Sequence, residues 1–390
     1  MKKIISFLFI AVALVTTIYL NFDKIENLVK TDDKSTEKTT PSIALTETLK
    51  AHYIDVGQGD AIFIELPNQE TMLIDAGENE YKEKVENYIK NLGYQEITYL
   101  VGTHPHSDHI GSLAHIINKF TIKNIYMPKA KSNSNTYLNL LETIKSKNLT
   151  ITKAKKGINI LTTDNLVIDI IGPVQEYTNL NDTSAIIKIT YQDNTYLFTG
   201  DAEKIAEEDL TLDFKVDVLK VGHHGSDTSS SDYLVNSIDP KYAIISVGTD
   251  NKYDHPSPSV VSKWQNDNAK VYQTNLCGNI VVESNGKDIS ITECQKTTEQ
   301  VNMKKIDSIT VKKGTKATYE TILEPNTLYD IKIKLNSGES TAKGLENKTS
   351  DSLGNISWTW NISSNTKVGE YQIIIESEKD SYYTTLIIEE

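Results

Sequence analysis

The sequence predicts an α/β domain followed by a small all-β domain. Three observations support this. At roughly 150 residues per domain, 390 residues suit two to three domains. Between about 48 and 247, short β-rich runs alternate with helical ones; from about 305 only short strands and turn residues remain. Hydrophobic residues at 38% and charged residues at 24% exclude a wholly disordered or fibrous chain. A formal charge of -13 argues against a generally basic nucleic-acid binder. All 40 basic residues are lysine, so anions must be held by point charges, metals or backbone amides, not guanidinium forks. Two cysteines exclude both a disulfide scaffold and a thiolate-rich zinc module.

Residues 1–30 read as a targeting or anchor segment. Lys2 and Lys3 precede an apolar run from Ile4 to Leu20, long for a signal core and at the short limit of a membrane span. The Ala11-Val12-Ala13 triplet lies inside the run, which favours an uncleaved anchor with everything after residue 30 outside the cytoplasm. Residues 31–47 are a polar linker. Strands are expected at Ala51 to Val56, Ala61 to Leu66, Thr71 to Ile74, Ile97 to Val101, Thr195 to Thr199, Asp217 to Val221 and Tyr242 to Val247. Helices are expected at Tyr81 to Leu92, where Gly93 is the stop, and at Ser112 to Phe120, Tyr137 to Lys147, Ala202 to Leu210 and Ser231 to Ser237. Asn285-Gly286 suits a two-residue hairpin turn; that register pairs residues summing to 571, and 277 plus 294 is 571, so a cross-strand Cys277–Cys294 disulfide is expected. Strands from Ser308 to Ile388, the last Tyr382 to Ile388, make residues 305–390 a β-sandwich.

The chemistry centres on Thr103-His104-Pro105-His106-Ser107-Asp108-His109, between an apolar strand and a helical run. Four metal-capable side chains on one turn are costly to desolvate without a cation. His104 and His106 can face one way and Asp108 and His109 another, which suggests two ions.

His-x-His-x-Asp-His resembles the signature of the metallo-β-lactamase superfamily, whose fold is an αββα sandwich of hydrolases. Leu73-Ile-Asp75-Ala-Gly77, Phe198-Thr-Gly-Asp201 and Leu219-Lys-Val-Gly-His-His-Gly-Ser226 follow in the superfamily's order. With Asp55-Val-Gly-Gln-Gly-Asp60 and Asp254-His255-Pro256, they resemble the extracytoplasmic domain of the competence protein ComEC. The resemblance assigns 48–296 to a hydrolase domain. It implies that His104 and His106 bind one divalent ion, Asp108 and His109 a second, and Asp201 bridges them. One of His223 and His224 completes the second site, leaving the other free to meet substrate. Asp75 then orients a ligand histidine, and Asp60 lies on the rim. The superfamily's third histidine for the first ion is replaced by Asn181-Asp182-Thr183-Ser184, so Asp182 or water would fill that place and favour manganese over zinc. Residues 305–390, with Trp358-Thr-Trp360 and Gly369-Glu-Tyr371, resemble bacterial immunoglobulin-like modules, which implies attachment or spacing.

Between Gly111 and Thr163 lie nine lysines and one acid, Glu142, a net of nine minus one, +8; beside the site they could hold a phosphate backbone, and otherwise they are a solvated face. Asp55 to Asp60 lacks Gly-Lys-Ser/Thr, so it is no nucleotide P-loop; a strand-to-strand turn is the simpler reading. His255 could protonate a departing oxygen, whereas His52 and His115 are expected to be structural. The sequence thus predicts an exported hydrolase with two divalent ions, zinc or manganese, whose metal-activated hydroxide attacks a phosphodiester in DNA or a cell-envelope polymer, with Asp108, His224 and His255 catalytic. The alternatives are an acyl hydrolase of the same superfamily and a surface-binding protein with a structural metal.

Overall fold

The computed structural model describes residues 29–30, 48–249, 251–294, 303–335 and 338–390. The expected anchor and linker lie outside these, apart from Val29–Lys30. The chain forms two compact units, Met1–Thr298 and Glu299–Glu390.

In the first unit, one sheet takes strands β1 (Val29–Lys30), β2 (Leu49–Tyr53), β3 (Ile62–Glu65), β4 (Thr71–Ile74), β5 (Glu96–Val101), β6 (Thr121–Met127), β7 (Ile151–Lys153), β15 (Ile280–Ser284) and β16 (Ile289–Ile291), in the order β1-β7-β6-β5-β4-β3-β2-β15-β16. The second takes β8 (Ile158–Thr162), β9 (Leu166–Gly172), β10 (Ile186–Tyr191), β11 (Asn194–Phe198), β12 (Val218–Lys220), β13 (Tyr242–Ile245) and β14 (Lys270–Gln273), in the order β14-β13-β12-β11-β10-β9-β8. Each sheet is antiparallel on one side and parallel on the other: β4 to β7 run parallel, as do β11 to β14.

Strand alternation builds the layers. Leu49, Ala51 and Tyr53 of β2 and Ile62 and Ile64 of β3 share one core with Ile168, Ile187 and Phe198 of the second sheet. The Tyr53 and Phe198 rings stack 6.2 Å apart. Phe63 and Leu73, on the opposite face, pack with Val85 and Ile89 of α1 (Lys82–Asn91), Ile116 of α3 (Leu113–Lys119) and Leu140 of α4 (Asn135–Ser146). Each such buried side chain contributes about 1.5–3 kcal/mol of transfer free energy. Gly93, in the left-handed region at φ 94°, follows α1, and the Ser134 hydroxyl accepts the Tyr137 N–H to cap α4. Across the second sheet, α5 (Lys204–Glu208), α6 (Asp232–Ile238) and α7 (Pro258–Asn266) link its parallel strands in turn, completing the αββα arrangement. The periodicity missed α7, whose short apolar stripe opens on proline at its first turn.

The disulfide joins Cys277 and Cys294, with Cα atoms 5.5 Å apart, but not across the expected pair of strands. Ser284 pairs with Ile289, because the Asn285 side chain accepts the N–H groups of Lys287 (2.9 Å) and Asp288 (2.7 Å) and opens a four-residue loop. Cys277 instead ends the helical turn α8 (Thr274–Cys277), and Cys294 lies beyond β16.

The second unit is all β, its shorter strands being β17 (Met303–Lys305), β18 (Ile309–Lys312), β21 (Gly338–Glu339) and β22 (Lys348–Thr349). Strand β20 (Leu328–Leu335) pairs antiparallel with β24 (Gly369–Glu376), and β24 with β25 (Ser381–Glu389). A separate two-stranded sheet pairs β19 (Lys316–Ile322) with β23 (Asn355–Asn361). Trp358 and Trp360 of β23 are buried with Tyr329, Ile331 and Ile373, and the Trp358 indole donates to the Glu346 carbonyl at 3.0 Å.

Candidate metal centre

The site forms where parallel strands of both sheets end, the edge at which α/β sheets bind ligands. His104 follows β5, while Asp108 and His109 sit on the single helical turn α2 (Ser107–Ile110). Asp75 follows β4, Asp201 follows β11, and His223 and His224 follow β12. Backbone strain collects here: Asp75, His223, His224 and Asp254 have φ of 57°, 49°, 54° and 55°. Such left-handed conformations cost of order 1–3 kcal/mol each and persist only where surroundings impose them. Gly59 has φ 142°, and a Cβ there would lie 2.3 Å from the Asp108 carbonyl, so the turn bearing Asp108 needs glycine beneath it.

Of three donor groups among the described residues, two share Asp201 and the third is Asp60, Asp75 and His109. Ligand atoms of Asp108, His109, Asp201 and His224 lie within 4.8 Å of one another, as do those of His104, His106 and Asp201. His109 Nε2 is 3.1 Å and His224 Nε2 3.6 Å from Asp201 Oδ2, and the two nitrogens are 3.3 Å apart. His104 Nε2 is 3.6 Å from the same oxygen and 2.9 Å from His106 Nδ1. The geometry therefore selects His224 over His223 for the second group.

Each inner imidazole is aimed from behind. His109 Nδ1 donates to Asp75 Oδ2 at 2.8 Å, His224 Nδ1 donates to the Ser246 carbonyl at 2.9 Å, and His104 Nδ1 faces the Thr103 hydroxyl at 3.1 Å. Thr103 in turn donates its N–H and hydroxyl to Asp75. Burial opposes charge on Asp201, but His109, His224 and His223 outweigh it and hold the carboxyl well below its ordinary range. Burial likewise opposes protonation of His224, yet Asp201, Asp108 and Asp60 push its imidazole up to about 9. Burial, joined by His109, pushes His104 down. Facing imidazole nitrogens and a buried Asp201 Oδ1 that lacks a hydrogen-bond partner fit a divalent cation: its charge would replace the protons these groups otherwise share.

Other expected residues take different places. Asp182 joins neither group: its carboxylate accepts the Glu203 N–H at 3.0 Å, at the head of α5. The stretch around it contributes Ser184 instead, whose hydroxyl lies 3.4 Å from His104 Nδ1 and accepts the Asp201 N–H at 3.1 Å. Asp60 is not on the rim. It is buried under His224, with Lys220 Nζ at 2.7 Å. Burial opposes its ionisation, but Lys220 and His224 hold the carboxyl below its usual range. His223 stands outside the pair of groups, its Nε2 3.9 Å from Asp201 and its Nδ1 near Glu203 (3.3 Å) and Thr228 (3.1 Å). His255 faces it with ring centroids 5.5 Å apart. His52 and His115 pair with Glu65 and Glu86 on the helix-covered side of the first sheet. Lys220, Glu203 and Ser184 were missed; only Lys220 left a signal, a charge inside Val218-Leu-Lys-Val221.

A family model described as the metallo-beta-lactamase superfamily matches residues 54–249, half of the chain, and the protein belongs to that superfamily. Its relatives are consistent with a ComEC-like competence subgroup. ComE operon protein 3 of Bacillus subtilis is 29% identical over 248 residues, covering 58% of this chain and 32% of its own. Recombination protein 2 of Haemophilus influenzae is 28% identical over 242 residues, covering 60% and 29%. The chain spans about a third of the length of these curated relatives. The diiron β-hydroxylase CmlA of Streptomyces venezuelae aligns at a TM-score of 0.41 and 14% identity, covering 62% of this chain and 54% of that one, too slight a likeness to bear on chemistry here.

Proposed function

We propose that the protein is an exported phosphodiesterase holding two divalent ions, one between His104, His106 and Asp201 and the other between Asp108, His109, Asp201 and His224. The observation that carries this reading is the pair of imidazole nitrogens 3.3 Å apart, aimed at a shared buried carboxylate. Divalent ions there would make a water nucleophilic and neutralise charge developing on the scissile group. The chain's own residues do the rest. Asp75 and the Ser246 carbonyl fix which nitrogen His109 and His224 present. Glu203 and Thr228 orient His223 toward a non-bridging substrate oxygen, and His255 opposite it protonates the departing one. The name of one relative, Recombination protein 2 of Haemophilus influenzae, supports DNA as substrate. The disulfide supports export, since such bonds persist in oxidising compartments. The β-rich unit then spaces or attaches the enzyme.

The test is hydrolysis of a chromogenic phosphodiester and of DNA by the full chain with zinc or manganese, beside His104→Ala. Metal-dependent cleavage that disappears in the folded variant is expected. Turnover of nitrocefin or a lactone with neither phosphodiester cleaved would make the protein an acyl hydrolase instead.

A further inference from the structure

Part of the lysine-rich segment folds next to the metal centre. Lys129 follows β6, and Lys153 and Lys155 lie at the end of β7. These strands run parallel to β5, the strand that delivers His104, and all three end on the same edge. The Gly102 N–H donates to the Tyr126 carbonyl at 3.0 Å and the Ala154 N–H to the Met127 carbonyl at 2.9 Å, so the strand ends stay in step. The three lysines line a cleft of about 120 Å³ with Tyr177 and Thr183, and Thr183 precedes Ser184, the residue beside His104. One acid, Glu176, also lines it; it is 4.0 Å from Lys153, and its side chain is 74% exposed. Gln175 and Tyr177, which also line it, donate to the Asp209 carboxylate at 2.6 and 2.7 Å, so three ammonium groups stand against two carboxylates and the cleft keeps a positive excess on a chain of net charge -13.

Resting on the phosphodiesterase reading, we propose that this cleft holds a phosphate of a nucleic-acid strand flanking the scissile bond, so that the substrate is a polynucleotide. Two strand spacings separate β7 from β5, roughly 10 Å, so the cleft lies within a few nucleotides of the centre along a bound strand. Tyr177 offers an aromatic face for a base, which a polyol-phosphate polymer could not use.

The experiment measures binding of a fluorescein-labelled single-stranded 12-mer to the full chain by anisotropy, across a salt series. It compares wild type with Lys129→Gln/Lys153→Gln/Lys155→Gln and with a charge-matched control outside the cleft, Lys119→Gln/Lys145→Gln/Lys147→Gln. The cleft variant should bind about tenfold or more weakly, its slope of log K against log salt shallower by roughly 0.7, the value for one phosphate contact on a single strand. The control should change by less than about twofold. In parallel, the ratio of kcat/KM for the 12-mer to that for the chromogenic diester should fall in the cleft variant. No binding by wild type, or equal losses in both variants, overturns the inference. Displacement of the 12-mer by poly(glycerol phosphate) as effectively as by unlabelled DNA overturns the nucleotide assignment. Cleft-dependent binding with no cleavage of either ester would uphold the subsite and sink the phosphodiesterase reading.

Discussion

Lys220 has no contact with solvent, and its ammonium meets Asp60 at 2.7 Å and the Val221 carbonyl at 2.9 Å. Removing one partner of such a pair strands the other charge, so Lys220→Met should destabilise the protein by roughly 3–5 kcal/mol. The effect depends on pH. Lys220 holds the Asp60 carboxyl low against the opposing pull of burial. The pair's contribution is therefore complete above the unfolded carboxylate range near pH ~4 and fades as pH falls through the folded value. The gap between denaturant midpoints of metal-free wild type and variant should hold from neutral pH down to ~4 and narrow only as pH falls further; a gap that does not narrow in acid contradicts the assignment. The two histidines after β12 separate by role. His224→Ala should lose bound metal by elemental analysis, whereas His223→Ala should retain it and lose about 10²–10⁴ in kcat. Equal metal loss in both would return His223 to the ligand set.

Among elements, short strands with nearly continuous apolar runs were legible: Thr71–Ile74 was read to the residue, and Tyr242 opens its strand as expected. Strands β6, β7, β8 and β10 were not individually read, because lysine, asparagine and threonine break their apolar pattern and only sheet pairing compensates them; β9, interrupted only by Asp169, was passed over as well. The disulfide was anticipated through a register the Asn285 side chain does not allow, so the pairing was found for the wrong reason. Reducing it should lower stability by about 2–4 kcal/mol, read as a lower Tm in dithiothreitol. An unchanged Tm would mean the loop it closes is already fixed by packing. Gly59→Ala forces a Cβ against the Asp108 carbonyl and should depress metal content with little change in far-UV circular dichroism; full metal content would show that the turn can shift without harm.

For the whole molecule, the motif residues made the centre legible: His104, His106, Asp108, His109, Asp201 and His224 come from three separate stretches and meet. Which imidazole after β12 belongs inside, and where Asp60 and Asp182 lie, depended on strained backbone that no linear pattern encodes and on a buried lysine whose one trace is a charge within an apolar strand. The -13 charge concealed the cationic cleft, because net charge does not record which lysines meet at one sheet edge. The first unit has its own core, so a chain ending at Thr298 should keep the metal content and diester hydrolysis of the full protein. Loss of both would make the β-rich unit part of the enzyme.

Anomalous diffraction from crystals soaked in zinc or manganese addresses the shared carboxylate directly. The account predicts two peaks flanking Asp201, one within bonding reach of His104 and His106 and the other of His109 and His224. Peaks elsewhere, or none in a protein that still cleaves phosphodiesters, would contradict it.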